Sequence, residues 1–317
     1  MSVTVAVTTH PPVYLDRARS LARARELAAE AAARGAALML FPETWIPGYP
    51  VWVWQLRPGA ERPLASRLHA RLLAEAVDLE AGHLDPLLEA ARTHRMLLAI
   101  GFHERPRGGG TLYNSMALIG PEGVLLHRRK LMPTHPERLV WGMGDGQGLA
   151  TVPTPLGRIG MLICWENYMP LARYALYAQG LDLLLAPTWD FGELWIASLR
   201  HIAREGGCWV LGTATALRAR DLPADLPERD RLFPDPEAWL NDGDAVVVRP
   251  TGRLHAPPLS RRAGILYADI DPDQAPRARR LLDVAGHYAR PDIFRLEVDR
   301  RPRPAARFRD GDGASEA

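Results

Sequence analysis

Cysteine is scarce: Cys164 and Cys208 are the only two in 317 residues. That excludes a disulfide framework and makes a reducing, cytoplasmic setting the expectation. No charge sign is in excess, since 39 basic and 37 acidic side chains leave a net +2. This balance argues against a nucleic-acid partner, which requires cationic charge gathered on one face. No apolar run approaches the length of a membrane span, so no membrane partner is expected. The segment Met1-Ser2-Val3-Thr4-Val5-Ala6-Val7 lacks a basic region and a cleavage site and reads as a first strand. The ten histidines show no ligand spacing, and no close Cys or His pair exists, so no metal is expected. Gly157 and Gly160 lack the spacing into a helix that a nucleotide-binding loop needs.

Hydrophobic residues at 47% and charged residues at 24% are ordinary for a globular chain. Strand and helix signals alternate. Strands are expected at Val3 to Thr8, Ala37 to Phe41, Met96 to His103, Thr111 to Ile119, Val124 to Arg128, Arg158 to Ile163, Leu181 to Ala186, Cys208 to Thr213, Ala245 to Val248 and Ile265 to Ile270. Helices are expected at Leu15 to Arg34 (closed by Gly35 as a C-terminal cap), Leu64 to Leu79, His83 to His94, Met169 to Tyr177 and Gly192 to Glu205. No internal repeat or linker divides the chain. Arg218 to Pro236, with four prolines and many charges, reads as a long surface loop. The expectation is one α/β domain over 1–299 with sheet layers covered by helices, and an Arg/Pro/Gly-rich, disordered tail over 300–317.

Three positions could carry chemistry. Cys164 ends an apolar strand and precedes Trp165-Glu166-Asn167 and a helix with Pro170 in its first turn. Backbone N–H groups at such an elbow lower a thiol's pKa and can hold an oxyanion. Free cysteine is also a common core residue, a reading that suits Cys208 before Trp209-Val210-Leu211. Glu43 follows the buried strand and Pro42 and precedes an aromatic loop. It is either a partly desolvated base or a surface carboxylate in a Pro-rich loop. Lys130 follows Arg128-Arg129. It is either an ammonium that stabilises a thiolate and an oxyanion or one cation in a basic run. Glu137 could hold that ammonium or cap the following turn. Trp45, Tyr49, Trp52 and Trp54 crowd one loop, as a satellite core, a pocket wall or a subunit contact. Trp165 and Trp189 follow strand ends, where pockets form in α/β folds.

Taken together, Phe41-Pro42-Glu43-Thr44-Trp45, His127-Arg128-Arg129-Lys130, Glu137-Arg138, Cys164-Trp165-Glu166-Asn167, Ala186-Pro187-Thr188-Trp189-Asp190, Arg200-His201-Ile202 and His287-Tyr288-Ala289-Arg290-Pro291-Asp292 resemble the nitrilase superfamily. Within it they resemble the nitrilase branch, in the family's order, from near residue 3 to near residue 298. The resemblance implies a four-layer α-β-β-α sandwich. It implies Glu43 as general base, Lys130 as electrostatic and proton-transfer partner, Glu137 as second carboxylate and Cys164 as nucleophile, with no cofactor. Tyr49, Trp165, Trp189 and His201 become the expected substrate contacts. The implied reaction is hydrolysis of a small-molecule nitrile to an acid and ammonia. The alternatives are an amidase or carbamoylase, a cyanide-hydrolysing enzyme, or a non-catalytic assembly protein with a relict site. Pairing of subunits into a homo-oligomer is implied as well, although the tail after about Asp299 is short for a filament-forming member.

Overall fold

The computed structural model describes residues 2–57, 59–302 and 306. Most of the 300–317 tail, for which disorder is expected from composition, therefore lies outside the described residues. In chain order, β1 (Val3–Thr8), α1 (Arg17–Ala33) and β2 (Ala36–Leu40) are followed by α2 (Arg62–Ala74) and α3 (Asp85–His94). Next come β3 (Leu97–Glu104), β4 (Tyr113–Gly120), β5 (Gly123–Arg129), β6 (Thr151–Thr154) and β7 (Gly157–Met161). Then α4 (Pro170–Tyr177), β8 (Leu183–Pro187), α5 (Glu193–Gly206) and β9 (Trp209–Thr213) repeat a strand–helix alternation. The remaining elements are β10 (Leu217–Arg218), α6 (Arg229–Leu232), β11 (Trp239–Asn241), β12 (Val246–Val248), β13 (Ile265–Ile270) and α7 (Gln274–Arg279).

Local chemistry sets the ends of α1. The Asp16 carboxylate accepts from the Arg19 N–H at 2.8 Å as an N-cap, and Gly35 takes φ +77° just beyond the last turn. Between these ends Leu21, Ala24, Leu27, Ala28 and Ala31 form the buried stripe, while Arg19 and Arg25 face solvent.

The strands form two main sheets. One has the order β13-β1-β2-β3-β4-β5 and the other β12-β9-β8-β7-β6. β1, β2 and β3 are parallel, as are β7, β8 and β9, and the flanking strands pair antiparallel. Period-two alternation then divides each strand between two cores. Val5, Val7, Leu38 and Leu40 of the first sheet pack against Ile159, Met161, Leu183 and Leu185 of the second. The opposite faces of the same strands, through Ala6, Met39, Leu98 and Ile100, meet α1 and α3. In the second sheet, Leu184, Ala186 and Val210 meet α4 and α5 through Leu176, Trp195 and Leu199. The result is the four-layer α-β-β-α sandwich.

Several features depart from the expectations: α2 stops at Ala74, short of the expected Leu79, and α7 is an added helix. β6 and the small β10–β11 ribbon carry no strong strand signal. Segment 218–236 is not a plain surface loop: it forms α6 and buries Leu222, Leu226, Leu232 and Phe233 beside Tyr14, Trp52, Leu68 and Leu72. Its charges face outward and conceal that apolar spacing.

β4 is antiparallel to β3 and β5 to β4, so β5 ends on the same side as β3. Glu104, at the end of β3, ties the three strands there. It accepts from Ser115 Oγ at 2.6 Å, from Arg129 at 2.5 Å, and shares a 2.9 Å bond with His127 Nε2. Burial opposes its charge, but the bonds to His127 and Arg129 prevail and hold its pKa at about 2, against an ordinary 4.5. A carboxyl depressed on folding stabilises fully above its unfolded pKa and loses that contribution as pH falls through its folded one. Acid titration of folding stability should therefore show a loss of up to about 3 kcal/mol from this group between pH 4.5 and 2. Glu104→Gln should start less stable at neutral pH and lack that component; an unchanged acid profile would remove Glu104 from the strand tie.

Candidate active site

Glu43, Lys130 and Cys164 arrive from three strand ends on one side of the sandwich. Glu43 stands in the turn after β2, where Gly101 of β3 approaches so closely that a Cβ at Gly101 would meet Thr44 N at 2.5 Å and the Pro42 carbonyl oxygen at 2.6 Å. Lys130 follows β5 directly, and its N–H donates to the Asn114 carbonyl at 2.7 Å. Cys164 follows β7 and two further apolar residues, and opens a 3-10 turn (Cys164–Tyr168) with φ +53°.

Their side chains converge. The Lys130 ammonium donates to Glu43 Oε1 and Glu137 Oε2, both at 2.8 Å, and all three side chains are at most 1% exposed. Asn114 Nδ2 donates to Glu43 Oε1 at 2.6 Å, whereas Glu43 Oε2 accepts no hydrogen bond among the described residues. Glu137 is held from two further sides. The Thr134 N–H donates to Oε2 at 2.6 Å, and the Tyr49 hydroxyl donates to Oε1 at 2.7 Å. Thus Glu137 both caps its turn and holds the ammonium. Thr188 Oγ1, from the end of β8, lies 3.2 Å from Cys164 Sγ.

The electrostatics follow from burial and from one cation between two carboxylates. Burial raises the Glu43 pKa, with Glu137 adding to the rise and Lys130 opposing it. Burial disfavours the Lys130 charge, but Glu43, Cys164 and Glu137 outweigh it and raise its pKa. Cys164 departs from the expectation drawn from its elbow. Burial, followed by the Glu43 charge, raises its pKa despite the attraction of Lys130. The resting thiol is therefore protonated at neutral pH. It stands beside an ammonium and a carboxyl tuned toward the range of a general base, an arrangement suited to deprotonation during attack.

Cys164 and Glu137 line a cavity of about 300 Å³. Tyr49 stacks on Trp189 at 4.2 Å between ring centroids, and both line it, as does Trp165, whose Nε1 donates to Asp190 Oδ2 at 2.8 Å. His201 does not join them. It projects from the outer face of α5, 69% exposed, with Nε2 3.6 Å from Glu205 Oε1 one helical turn away. Helical spacing carries it to the surface, and it is not a pocket residue. Cys208 is fully buried in the core between the second sheet and its helices.

Sequence reasoning missed several partners. Asn114 points from β4 at Glu43, and no local pattern marks it. His103 pins two loops: Trp141 Nε1 donates to its Nδ1 at 2.9 Å, and its Nε2 lies 2.9 Å from the Gly48 carbonyl. Burial pushes the His103 pKa down to about 3, so the ring is neutral and Nε2 donates. Glu166 is fully enclosed. It accepts from the Ile163 and Leu131 N–H groups at 2.6 Å and from Arg128 at 2.5 Å. It thereby fastens the turn bearing Cys164 to the residue after Lys130. Its only signal was a carboxylate in a half-polar turn directly after an apolar strand.

A four-layer sandwich that gathers a cysteine, a lysine and two carboxylates at its strand ends defines an α/β protein of the nitrilase superfamily. The chain belongs to the carbon–nitrogen hydrolase family, whose model matches residues 4–280. It is 43% identical over 301 residues to an aliphatic nitrilase of Sinorhizobium fredii (strain HH103), covering 95% of this chain and 96% of that protein. It is 37% identical to nitrilase 3 of Arabidopsis thaliana, covering 97% and 90%. A bifunctional nitrilase/nitrile hydratase of Lupinus angustifolius is 36% identical, covering 95% and 87%. Among solved structures, a carbon–nitrogen hydrolase from Helicobacter pylori G27 shares the fold at a TM-score of 0.69 and 18% identity, covering 92% of this chain and 97% of that one. An amidase from Nesterenkonia sp. AN1 shares it at 0.66 and 22%, covering 88% and 98%.

Two measurements test this geometry. Gly101→Ala should displace the Glu43 turn, because the new methyl group meets backbone rather than a flexible side chain. Turnover should fall by about 100-fold or more, as expected for misplacement of reacting groups by about 1 Å, in a protein that still folds. Full activity would contradict the close packing of β3 on that turn. The ultraviolet thiolate absorbance of the native protein at neutral pH should match that of Cys164→Ala; an excess in the native protein would mean that Lys130 prevails over burial.

Proposed function

We propose that this chain hydrolyses an organic nitrile to a carboxylic acid and ammonia. The observation that carries the reading is the buried Lys130 ammonium shared by Glu43 and Glu137 behind an aromatic-walled cavity that Glu137 and Cys164 line. The names of the relatives at 36–43% identity support it.

In the proposed reaction, the Cys164 thiol gives its proton to Glu43 as sulfur attacks the nitrile carbon. The nitrile nitrogen gains electron density as the C≡N bond opens, and Lys130 stabilises it and passes it a proton. The product of this step is a thioimidate on Cys164. Glu43 hands the proton it took to Lys130, 2.8 Å away, and so is again a base; it then activates a water, whose addition gives a tetrahedral carbon bearing S, O and N. Loss of ammonia leaves a thioester. A second water releases the acid and returns the thiol, so two waters are consumed per nitrile. Should the tetrahedral species expel sulfur instead, an amide leaves, and a minor amide product fits the scheme. Glu137 acts by holding Lys130, and Tyr49 by holding Glu137. The scheme uses no cofactor. Tyr49, Trp165 and Trp189 are the proposed walls against which the substrate lies.

We further propose that residues 1–299 form one catalytic unit that works as a cytoplasmic homo-oligomer. Leu171 and Leu194, 67% and 82% exposed at the starts of α4 and α5, support a protein partner on that face. Both cysteines are free thiols, in keeping with a reducing compartment. Among the described residues, no helix is long and apolar enough to cross a membrane.

Incubation with phenylacetonitrile, an aliphatic nitrile, cyanide and the matching amides tests the reading. Ammonia and acid should appear from an organic nitrile. Ammonia from amides alone would overturn nitrile hydrolysis in favour of an amidase, and turnover confined to cyanide would narrow the substrate to that ion. Cys164→Ala should be inactive and folded, and Lys130→Ala should lose about 3 kcal/mol or more of transition-state stabilisation. Cys208→Ala should remain active; a folded but dead Cys208→Ala protein would place the nucleophile at the other thiol.

A further inference from the structure

The cavity has a charge pattern that its apolar character conceals. Tyr49, Trp54, Trp165, Trp189, Phe191 and Phe233 supply its aromatic rings. Its charged lining side chains are Glu137 and Asp190; no Lys, Arg or His lies in the described lining. Glu137 is compensated by Lys130 at 2.8 Å. Asp190 differs, because it makes no ion pair among the described residues. Its Oδ2 accepts from Trp165 Nε1 and its Oδ1 from the Phe191 N–H, both at 2.8 Å. These neutral donors fix the carboxylate in place without cancelling its charge. Its own N–H donates to Thr188 Oγ1 at 2.7 Å, and that hydroxyl lies 3.2 Å from Cys164 Sγ, so Asp190 is anchored two residues from the hydroxyl that meets the thiol. The two aromatic residues that donate hydrogen bonds to Asp190 are exposed, Trp165 at 43% and Phe191 at 44%.

Ring faces carry negative potential and attract cations, and a fixed carboxylate adds to that attraction while repelling anions. We infer that this pocket selects by charge on the group that the substrate carries besides its nitrile, with Asp190 as the specificity-determining residue. Nitriles bearing a protonated amine are favoured there, and isosteric carboxylates are rejected. The inference rests on the nitrile-hydrolysing reading above and narrows its substrate class.

Three phenylacetonitriles that differ only at the para position, with aminomethyl, hydroxymethyl or carboxylate groups, test it. The expected kcat/KM order is cation, neutral, anion, with about a tenfold or larger ratio between the extremes at low ionic strength. That ratio should shrink with added salt. Asp190→Asn retains a side-chain oxygen for Trp165 Nε1 while removing the charge. It should reduce the ratio by about threefold or more, chiefly through KM. Equal kcat/KM for cation and anion, or a ratio that neither salt nor Asp190→Asn moves, would overturn the inference. Turnover of the hydroxymethyl compound reports nitrile hydrolysis separately. If none of the three is turned over, calorimetric affinities of the same compounds for the Cys164→Ala protein read the charge order alone. The same order supports Asp190 selection even if the reaction differs, and equal or reversed affinities refute it.

Discussion

One buried ammonium governs the site. Lys130 lies fully enclosed between Glu43 and Glu137, and its ammonium is the positive charge that compensates them at such depth. A lone charge in a protein interior costs several kcal/mol, and breaking a buried pair by removing one partner costs about 3–5 kcal/mol. The three groups therefore form one unit, and Asn114, Thr134 and Tyr49 are the donors that complete it. Burial, with the Glu137 charge adding to it, leaves Glu43 with a raised pKa, and one of its oxygens has no hydrogen-bond partner among the described residues. Cys164 beside it remains a thiol at rest, and in the proposed reaction it becomes a nucleophile only as its proton moves. Such a device limits adventitious oxidation and alkylation, which act on thiolates.

The sandwich serves this unit by joining two sheets at their ends. Glu43 and Lys130 come from the first sheet, and Cys164 and Thr188 from the second. The packed face of Val5, Leu38, Ile159 and Leu183 sets the distance between the sheets, but hydrophobic contact alone does not set register. Glu166 does so locally, since one carboxylate accepts from Leu131 N–H on one side and Ile163 N–H on the other. Arg128 fills the remaining position, bonding both Glu166 and the Met161 carbonyl.

Much of the fold was legible in the sequence, because its strands and helices carry strong periodic patterns. The β1, α1 and α5 segments lie within two or three residues of their expected bounds, and Gly35 closes α1 as its position suggests. β6 and the β10–β11 ribbon were not legible, since Pro153 and short length hide the alternation. Segment 218–236 was misread because proline and charge mask four inward apolar residues. In the site, the residues at strand ends could be picked out, but the state of Cys164 could not. Thiol acidity depends on burial and on Glu43, which is far away in sequence, and the elbow alone suggested the opposite direction. Asn114 and His103 act through long-range hydrogen bonds that leave no local trace, and Glu166 is marked only by its place in the turn after an apolar strand. His201 shows the converse: a residue within a family motif lies on an exposed helix face.

The central claim is that the Lys130-centred cluster makes Cys164, and no other group, the covalent nucleophile. Rapid acid quenching during turnover of an organic nitrile, followed by mass analysis of the cysteine-containing peptides, tests it most directly. The peptide bearing Cys164 should carry the mass of a thioimidate or thioester, and the peptide bearing Cys208 should be unmodified. Steady ammonia release with no adduct at Cys164, or with the adduct on Cys208, would contradict the account.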